Sequence, residues 1–526
     1  MTWFGPMQRW TLEDDLPSVP VYVVEPLRIT DGPDGDYTVA SHAFEGLPAM
    51  IAQGSIRLTG TAVSPVTWES QLGGFEFDLV GDISEVIDSW AQGTVLQLKL
   101  GFFGYALWTF ETIALGVLQN IQGPGPVWHV ECWDITRLLS SRPDYTVADL
   151  QLFSAAAADT DVAAGLPYTA GDPTLDVTDA TVLERETGAT GVVKVTPTSG
   201  SEFFLFYTGA TGNQLTGVSH ANQWGGGADA NAAAGNTVKS IPYLKGHPLD
   251  ITRRVLTSKD GTNGTYDVYP ASWGYGLPDS LIDHRDVLNF ETPVAVDSGA
   301  YNWEVIVEAA QDDGYTWLSG MLQKAGIFLM SRQGQISVRA AQDPERKRTE
   351  TTRIYESGLH ITDDDLEEVD GVSQEMWDST IPFEYGKVTI TTATSTSTPK
   401  VDGVGGVTKV ATLPARTLMD YSVADEVWAN EAAIQAEMKD RLSIWALRKA
   451  ERLFLKTIGI KYMGVTPGDI VRLTTSRTRG RLRETAGGYD DRPGMVTEVN
   501  ITPPGSGDPS VNITLSILPF WQDVHQ

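Results

Sequence analysis

The residues able to do chemistry are few, and their spacing argues against most of it. The one cysteine, Cys132, stands in H-V-E-C-W-D, residues 129–134. Strand alternation puts His129 and Glu131 on one face and Cys132 with Asp134 on the other, so a Cys–His nucleophilic pair is not expected. The seven histidines, His42, His129, His220, His247, His284, His360 and His525, form no H-x-x-x-H or H-E-x-x-H pattern. A zinc hydrolase is therefore unsupported. A single cysteine rules out an intrachain disulfide, a multi-cysteine zinc site and a four-thiolate iron–sulfur cluster. No G-x-S-x-G is present, which removes the commonest serine esterase signature. Among 68 Asp and Glu, a carboxylate pair suited to glycoside cleavage cannot be located from the sequence. No catalytic residue, cofactor or metal ligand is nominated.

Three further stretches invite a functional reading. The glycine-dense run 206–238, F-Y-T-G-A-T-G-N-Q-L-T-G onward, has no Lys in G-A-T-G-N-Q-L-T-G and ends in N-T-V. A phosphate cradle needs a glycine turn opening a helix, usually with G-K-[ST], so these glycines are expected to serve turns between short strands. D-G-P-D-G-D (31–36) and D-D-D-L-E-E-V-D (363–370) lack the full calcium-loop pattern with its terminal Glu, and read as solvated charge runs. Against this acidic background, S-R-T-R-G-R-L-R carries Arg477, Arg479, Arg481 and Arg483 at every second position. On an extended strand all four would project from one face. They are either a hairpin for an acidic partner or a solvated hairpin tip. P-E-R-K-R, with Arg346, Lys347 and Arg348, is a weaker case of the same kind.

The elements that must position these residues are mostly strands. F-E-F-D-L (75–79) alternates apolar and acidic positions, and T-V-L-Q-L-K-L places Leu96, Leu98 and Leu100 on one face. F-E-T-I-A-L-G-V-L-Q-N-I and V-W-H-V-E-C-W-D-I flank Q-G-P-G-P, as two strands about a turn. G-D-I-S-E-V-I-D-S-W offers a short helix or a turn, with Asp82 near its start. H-P-L-D-I-T-R-R-V-L-T-S reads as a helix with Pro near its start. Trp317, Met321 and Leu322 mark a second helix, followed by a hairpin turning at Arg332 to Gln335. Ile434, Met438, Leu442 and Trp445 form an apolar stripe that predicts a long helix over 426–456. Three strands close the chain: V-T-P-G-D-I-V-R-L, G-M-V-T-E-V-N-I and S-V-N-I-T-L-S-I-L.

Whole-chain properties narrow the class. At 526 residues two to four domains are expected, and fifteen tryptophans argue against a disordered chain. Glycine (52) and proline (28) are frequent enough to favour turns and short strands over helical bundles. A net charge of −30 disfavours a nucleic-acid or anionic-membrane binder, because both need clustered Lys and Arg. The run Thr112 to Val130 is broken by Gln, Asn, Gly and Pro and cannot make a continuous apolar membrane helix. M-T-W-F-G-P-M-Q-R-W-T-L-E-D-D-L-P lacks a basic segment followed by an apolar core, so no signal peptide is expected. A soluble chain made in a reducing cytosol is the expectation.

Taken in order, four stretches resemble the tail hub proteins of tailed bacteriophages. They are F-E-T-I-A-L-G-V-L-Q-N-I-Q-G-P-G-P-V-W-H-V-E-C-W-D-I-T-R-L-L with its D-x-T-x-x-L turn, and the glycine-rich module around 206–238. The third is H-P-L-D-I-T-R-R-V-L-T-S with G-Y-G-L-P-D-S-L-I-D and W-L-S-G-M-L-Q-K-A-G-I-F-L-M-S-R-Q-G-Q-I-S-V. The fourth is the C-terminal helix with its three strands. The resemblance covers trimeric hubs of contractile tails and tail-associated proteins of long non-contractile tails. It implies an α+β, β-dominated fold with two β-barrel-like hub domains joined by α/β segments and an inserted small β module. The corresponding domains are 1–164 (N-terminal hub region), 165–242 (glycine-rich module), 243–375 (α/β connection) and 376–526 (C-terminal hub region with the long helix). It further implies a homotrimeric structural virion protein at the tail tip or baseplate, assembled in the host cytoplasm. Such a hub closes the distal tail tube and links it to the fibre apparatus. The implied partners are the distal tail protein ring, the tape-measure protein and central fibre or receptor-binding proteins. DNA would pass only in transit, with no stable membrane anchoring. Two rival readings stand beside it. One is a tail-associated cell-wall hydrolase, expected to show a cleft with a perturbed carboxylate. The other is a carbohydrate-binding β-module protein with Trp224 and Trp273 stacking on sugars.

Overall fold

The computed structural model describes residues 20–27, 39–40, 49–52, 54–60, 62–63, 70–71, 73–102, 110–123, 125–140, 159–183, 191–221, 230–246, 248–257, 274–283, 303–307, 313–324, 327–332, 334–340, 356–375, 387–388, 420–421, 427–428, 450–459, 461–478, 488–502 and 510–517. Its N-terminal strands are β1 (Pro20–Pro26), β2 (Val39–Ala40), β3 (Ala49–Ile51), β4 (Arg57–Thr59), β5 (Ala62–Val63), β6 (Ser70–Gln71), β7 (Gly74–Gly81), β8 (Val95–Phe102), β9 (Glu111–Gln122) and β10 (Val127–Asp134). The alternation of F-E-F-D-L is realised on β7, where Phe75, Phe77 and Leu79 are buried between half-exposed acids. Leu96, Leu98 and Leu100 of β8 join them in one core. Each such side chain contributes roughly 1.5–3 kcal/mol when taken out of water. Hydrogen-bonded neighbours run β10-β9-β8-β1-β2-β3-β7, and β7 pairs again with β10. The hairpin of β9 and β10 turns where G-P-G-P predicts, with a register shift between Glu131 and Cys132. The helix Ser84–Ser89 lays Val86 on the core beside Trp90, whose ring meets that of Phe77 edge-on at 6.4 Å.

Residues 159–241 have a core of their own. Strands β11 (Asp159–Asp161), β12 (Thr174–Asp176), β13 (Gly191–Thr196), β14 (Phe203–Tyr207), β15 (Gly209–Thr211), β16 (Gln214–Thr216), β17 (Ser219–His220) and β18 (Thr237–Ile241) make two sheets, ordered β11-β18-β13-β14-β17 and β12-β16-β15. Tyr168, Phe203, Leu205, Tyr207 and Leu215 fill the core. The outer faces of β13, β14 and β18 are not free. Val192, Phe204 and Ile241 pack with Tyr243 of β19 (Tyr243–Gly246) and Ile306 of β20 (Trp303–Ile306).

The connecting region supplies helices Pro248–Thr257 and Gly314–Lys324 and the hairpin of β21 (Ile327–Arg332) with β22 (Gln335–Ala340). Ile336 and Val338 point inward together, as their spacing predicts. Beyond it lie β23 (Glu356–Ile361), β24 (Val372–Glu375), β25 (Lys387–Val388), β26 (Asp420–Tyr421), β27 (Val427–Trp428), β28 (Glu451–Ile458), β29 (Ile470–Thr475), β30 (Tyr489–Thr502) and β31 (Ser510–Ile517). The run β23-β29-β30-β31-β28-β24 joins the N-terminal strands through Leu58↔Ile501 and Ala62↔Glu498. One hydrophobic cluster spans both ends of the chain, from Phe77 and Leu98 to Leu455, Val471 and Leu515.

The long helix expected over 426–456 needs correction at both ends. Val427–Trp428 pairs as a strand with Val305 and Glu304, and Glu451–Ile458 is a strand between β31 and β24. E-R-L-F-L-K-T-I alternates, burying Glu451, Leu453, Leu455 and Thr457. That period-2 pattern wins over helix propensity because partner strands wait on both sides. Residues 429–449 lie outside the described residues. Among the described residues the fold is β-dominated α+β, with few helices and several mainly antiparallel sheets.

Candidate functional site

Arg477 does not stand on an extended strand. Strand β29 ends at Thr475, and residues 476–478 bend away from it. The guanidinium lies on the turn 363–367: its Nη1 donates to Glu367 O at 2.5 Å, its Nη2 to Asp363 O at 3.0 Å, and its Nε is 3.6 Å from Asp363 Oδ1. Arg477 is thus engaged within its own chain. Arg479, Arg481 and Arg483 lie outside the described residues.

The acidic run 363–370, expected to be solvated, is clipped at three alternate residues, while Asp364, Glu368 and Asp370 are exposed. Asp363 takes Arg477, Asp365 takes Lys461 at 2.6 Å, and Glu367 takes Lys456 at 2.7 Å. Thr362 caps the short 3-10 turn Asp363–Asp365 in a reciprocal box with Asp365. Asp363 also accepts from Thr475 Oγ1 at 2.5 Å and Ser476 N at 2.9 Å. Burial raises the pKa of the Asp363 carboxyl, but these donors with Ser476 Oγ and Arg477 outweigh it and hold the group below its ordinary value. Asp365 behaves alike: burial pushes it up, while Lys461, Thr362 and Tyr462 bring it lower on balance. The clip ties β23 and β24, the two ends of the C-terminal strand order, to β28 and β29. Glu367 N donates to Lys456 O and Lys456 N to Gly371 O.

A second constellation surrounds Asp134, the Asp of D-x-T-x-x-L. Its Oδ1 accepts from Thr136 N at 2.8 Å and Thr136 Oγ1 at 2.6 Å, capping the 3-10 turn Ile135–Leu139. Its Oδ2 accepts from Ser331 Oγ. Burial drives its pKa up more than those hydrogen bonds and Arg137 bring it down. Asp134 and Ser331 line a cleft of about 110 Å³ with Gly60, Gly73, Ile113 and Val465. Among the described residues Asp134 is the one carboxylate that lines it, where glycoside cleavage uses a pair.

The remaining sequence candidates separate. His129 Nδ1 is 2.9 Å from Asp78 and its Nε2 is 3.4 Å from Glu76, on the face opposite buried Cys132. Burial, with Glu131 nearby, pushes the Cys132 thiol up, so it stays protonated and unreactive. His220 sits in the module core between Tyr168 and Phe203, ring centroids at 6.0 and 5.7 Å. Among the described residues no three His, Cys, Asp or Glu side chains are grouped to hold a metal ion, and no helix is long and apolar enough to cross a membrane. Trp224, Trp273, residues 31–36 and Arg346 to Arg348 lie outside the described residues.

No family model matches the sequence, and no curated protein does. Solved structures do. A tail protein from Neisseria meningitidis MC58 matches at 10% identity and a TM-score of 0.38, covering 95% of this chain and 97% of that one. The 43 kDa tail protein of prophage MuSo2 from Shewanella oneidensis matches at 9% and 0.33, covering 95% and 99%. Prophage tail protein gp18 from Listeria monocytogenes EGD-e matches at 10% and 0.34, covering 94% of each chain. Superpositions this loose carry no argument about activity or partners. They make the chain similar to phage tail proteins, the class its sequence resembles.

Proposed function

We propose that the chain is a structural virion protein, a homotrimeric tail hub. It closes the distal tail tube, links it to the receptor-binding or fibre apparatus and lines part of the DNA exit channel. The observation that carries this reading is the joining of two strand systems, one from each end of the chain, through β4, β5 and β30. The return pairing of β7 to β10 supports an N-terminal barrel. The clip that ties the turn between β23 and β24 to β28 and to the end of β29 supports a second one. Two such units per chain give a trimer six similar positions, which suits a hexameric tube. The net charge of −30 supports a channel wall that repels passing DNA. The module 165–242 faces outward as an insertion for neighbouring tail proteins, and the Arg479 to Arg483 segment contacts an acidic partner. Immunogold labelling of the assembled particle tests the placement. Gold at the tail tip is expected, and labelling of the capsid or none on the particle would refute it.

A cell-wall hydrolase is the second reading, favoured by one observation: Asp134 is a carboxylate with a raised pKa beside a cleft. Both its oxygens are already occupied by Thr136 and Ser331, which favours a structural cap. Purified chain is expected to leave peptidoglycan intact in a gel-overlay assay. Clearing that disappears in Asp134→Asn would favour the enzyme.

A further inference from the structure

A different surface carries a docking site. Strand β9 runs four residues past Leu118, to Gln122, while β8 begins at Val95 opposite Val117. The turn before β8 gives its last bonds to Leu118, through Gly93 N and Thr94 O. Beyond that point, the side of β9 away from β10 has no strand partner among the described residues. A cleft of about 420 Å³ opens there, lined by Ile87, Trp90, Gln92, Gln119, Asn120 and Ile121 over Leu118.

Three properties of this cleft define its occupant. Its lining carries no charge although the chain has a net charge of −30, so neither a cation nor a phosphate is selected. Trp90 is 3% exposed and cannot offer its ring face, which disfavours a sugar stacked on it. Gln119 is the extra residue of the register shift in β9, and bulges re-aim side chains. Its Oε1 is closed off from water with no hydrogen-bond partner among the described residues. Such an acceptor gains by turning toward any donor brought to it. Gln92 and Asn120 add amides beside it, and Ile87, 46% exposed, adds an apolar contact.

We infer that this cleft binds an extended, uncharged polypeptide segment of a partner protein. The segment adds as a short strand alongside residues 119–122, gives a main-chain N–H to Gln119 Oε1 and places an apolar side chain on Ile87. The inference does not depend on the hub assignment.

The test is a titration of the full chain, labelled at its glutamine and asparagine side-chain amides, with the capped peptide acetyl-Thr-Val-Thr-Val-amide. The expected result is selective shifts of the Gln92, Gln119 and Asn120 amide signals at millimolar peptide. Binding should weaken by about fivefold or more in Gln119→Leu. A main-chain N-methylated version of the peptide, tested on the unaltered chain, should fail to shift these signals. Equal shifts from the N-methylated peptide, shifts from methyl glucoside instead, or no response up to the solubility limit would each overturn the proposal.

Discussion

Arg339 is wholly enclosed, with Nη2 3.5 Å from Asp469 Oδ1, and Asp469 in turn accepts from Thr466 N and Oγ1. Removing Arg339 leaves the Asp469 carboxylate buried without its cation, a loss of up to roughly 3–5 kcal/mol that the Thr466 donors soften. Arg339→Met is therefore expected to lower the unfolding free energy by about that amount, and Arg339→Met with Asp469→Leu to recover part of it. Chemical denaturation of both variants checks this. At Asp134, Ala strands the Thr136 and Ser331 donors and should cost about 1–3 kcal/mol, while Asn keeps an acceptor and should cost less. The acid residues titrate with opposite signs. Asp363 and Asp365 have folded pKa values below the ordinary 3.8, so their contribution is present above that value and lost as pH falls through the folded pKa. Asp134 is raised, so its contribution is present below 3.8 and lost as pH rises through its folded pKa. Asp363→Asn should flatten the acid limb of a stability–pH curve, and Asp134→Asn should flatten the rise-dependent loss. None of these pairings was legible beforehand. D-D-D-L-E-E-V-D reads as a solvated run because its cations arrive from positions 456, 461 and 477, about ninety or more residues away in sequence.

Elements with a clear period were legible, and those with two compatible periods were not. F-E-F-D-L, V-L-Q-L-K-L and the β9–β10 and β21–β22 hairpins lie where alternation and glycine turns put them. The region before Ile458 misleads because Ile434, Met438, Leu442 and Trp445 form a stripe at helical spacing that leads straight into E-R-L-F-L-K-T, which alternates; the flanking β24 and β31 decide for a strand there. At Arg477 the alternation is no guide, for a related reason. Alternating arginines imply one face only if the backbone is extended, and at Arg477 it bends. The base of that segment gives a test. Gly488 has φ +101, and a Cβ there would lie 1.9 Å from Thr475 O. Gly488→Ala should therefore destabilise by more than the ~1 kcal/mol typical of a glycine swap, and its thermal midpoint should fall accordingly. A midpoint equal to the parent's would show that β30 enters the sheet differently.

At the scale of the molecule, the proposed hub must assemble, because two strand systems per chain would close a tube only as a ring. The net charge of −30 works against that assembly through self-repulsion, which salt screens within about 8 Å at physiological ionic strength. Association should therefore strengthen from low to moderate salt, a trend that sedimentation velocity would follow. The most direct measurement is the solution mass by light scattering after size exclusion, at physiological salt. The proposed homotrimer has a mass of three times 57.1 kDa, about 171 kDa. A mass of 57.1 kDa at every concentration would contradict it.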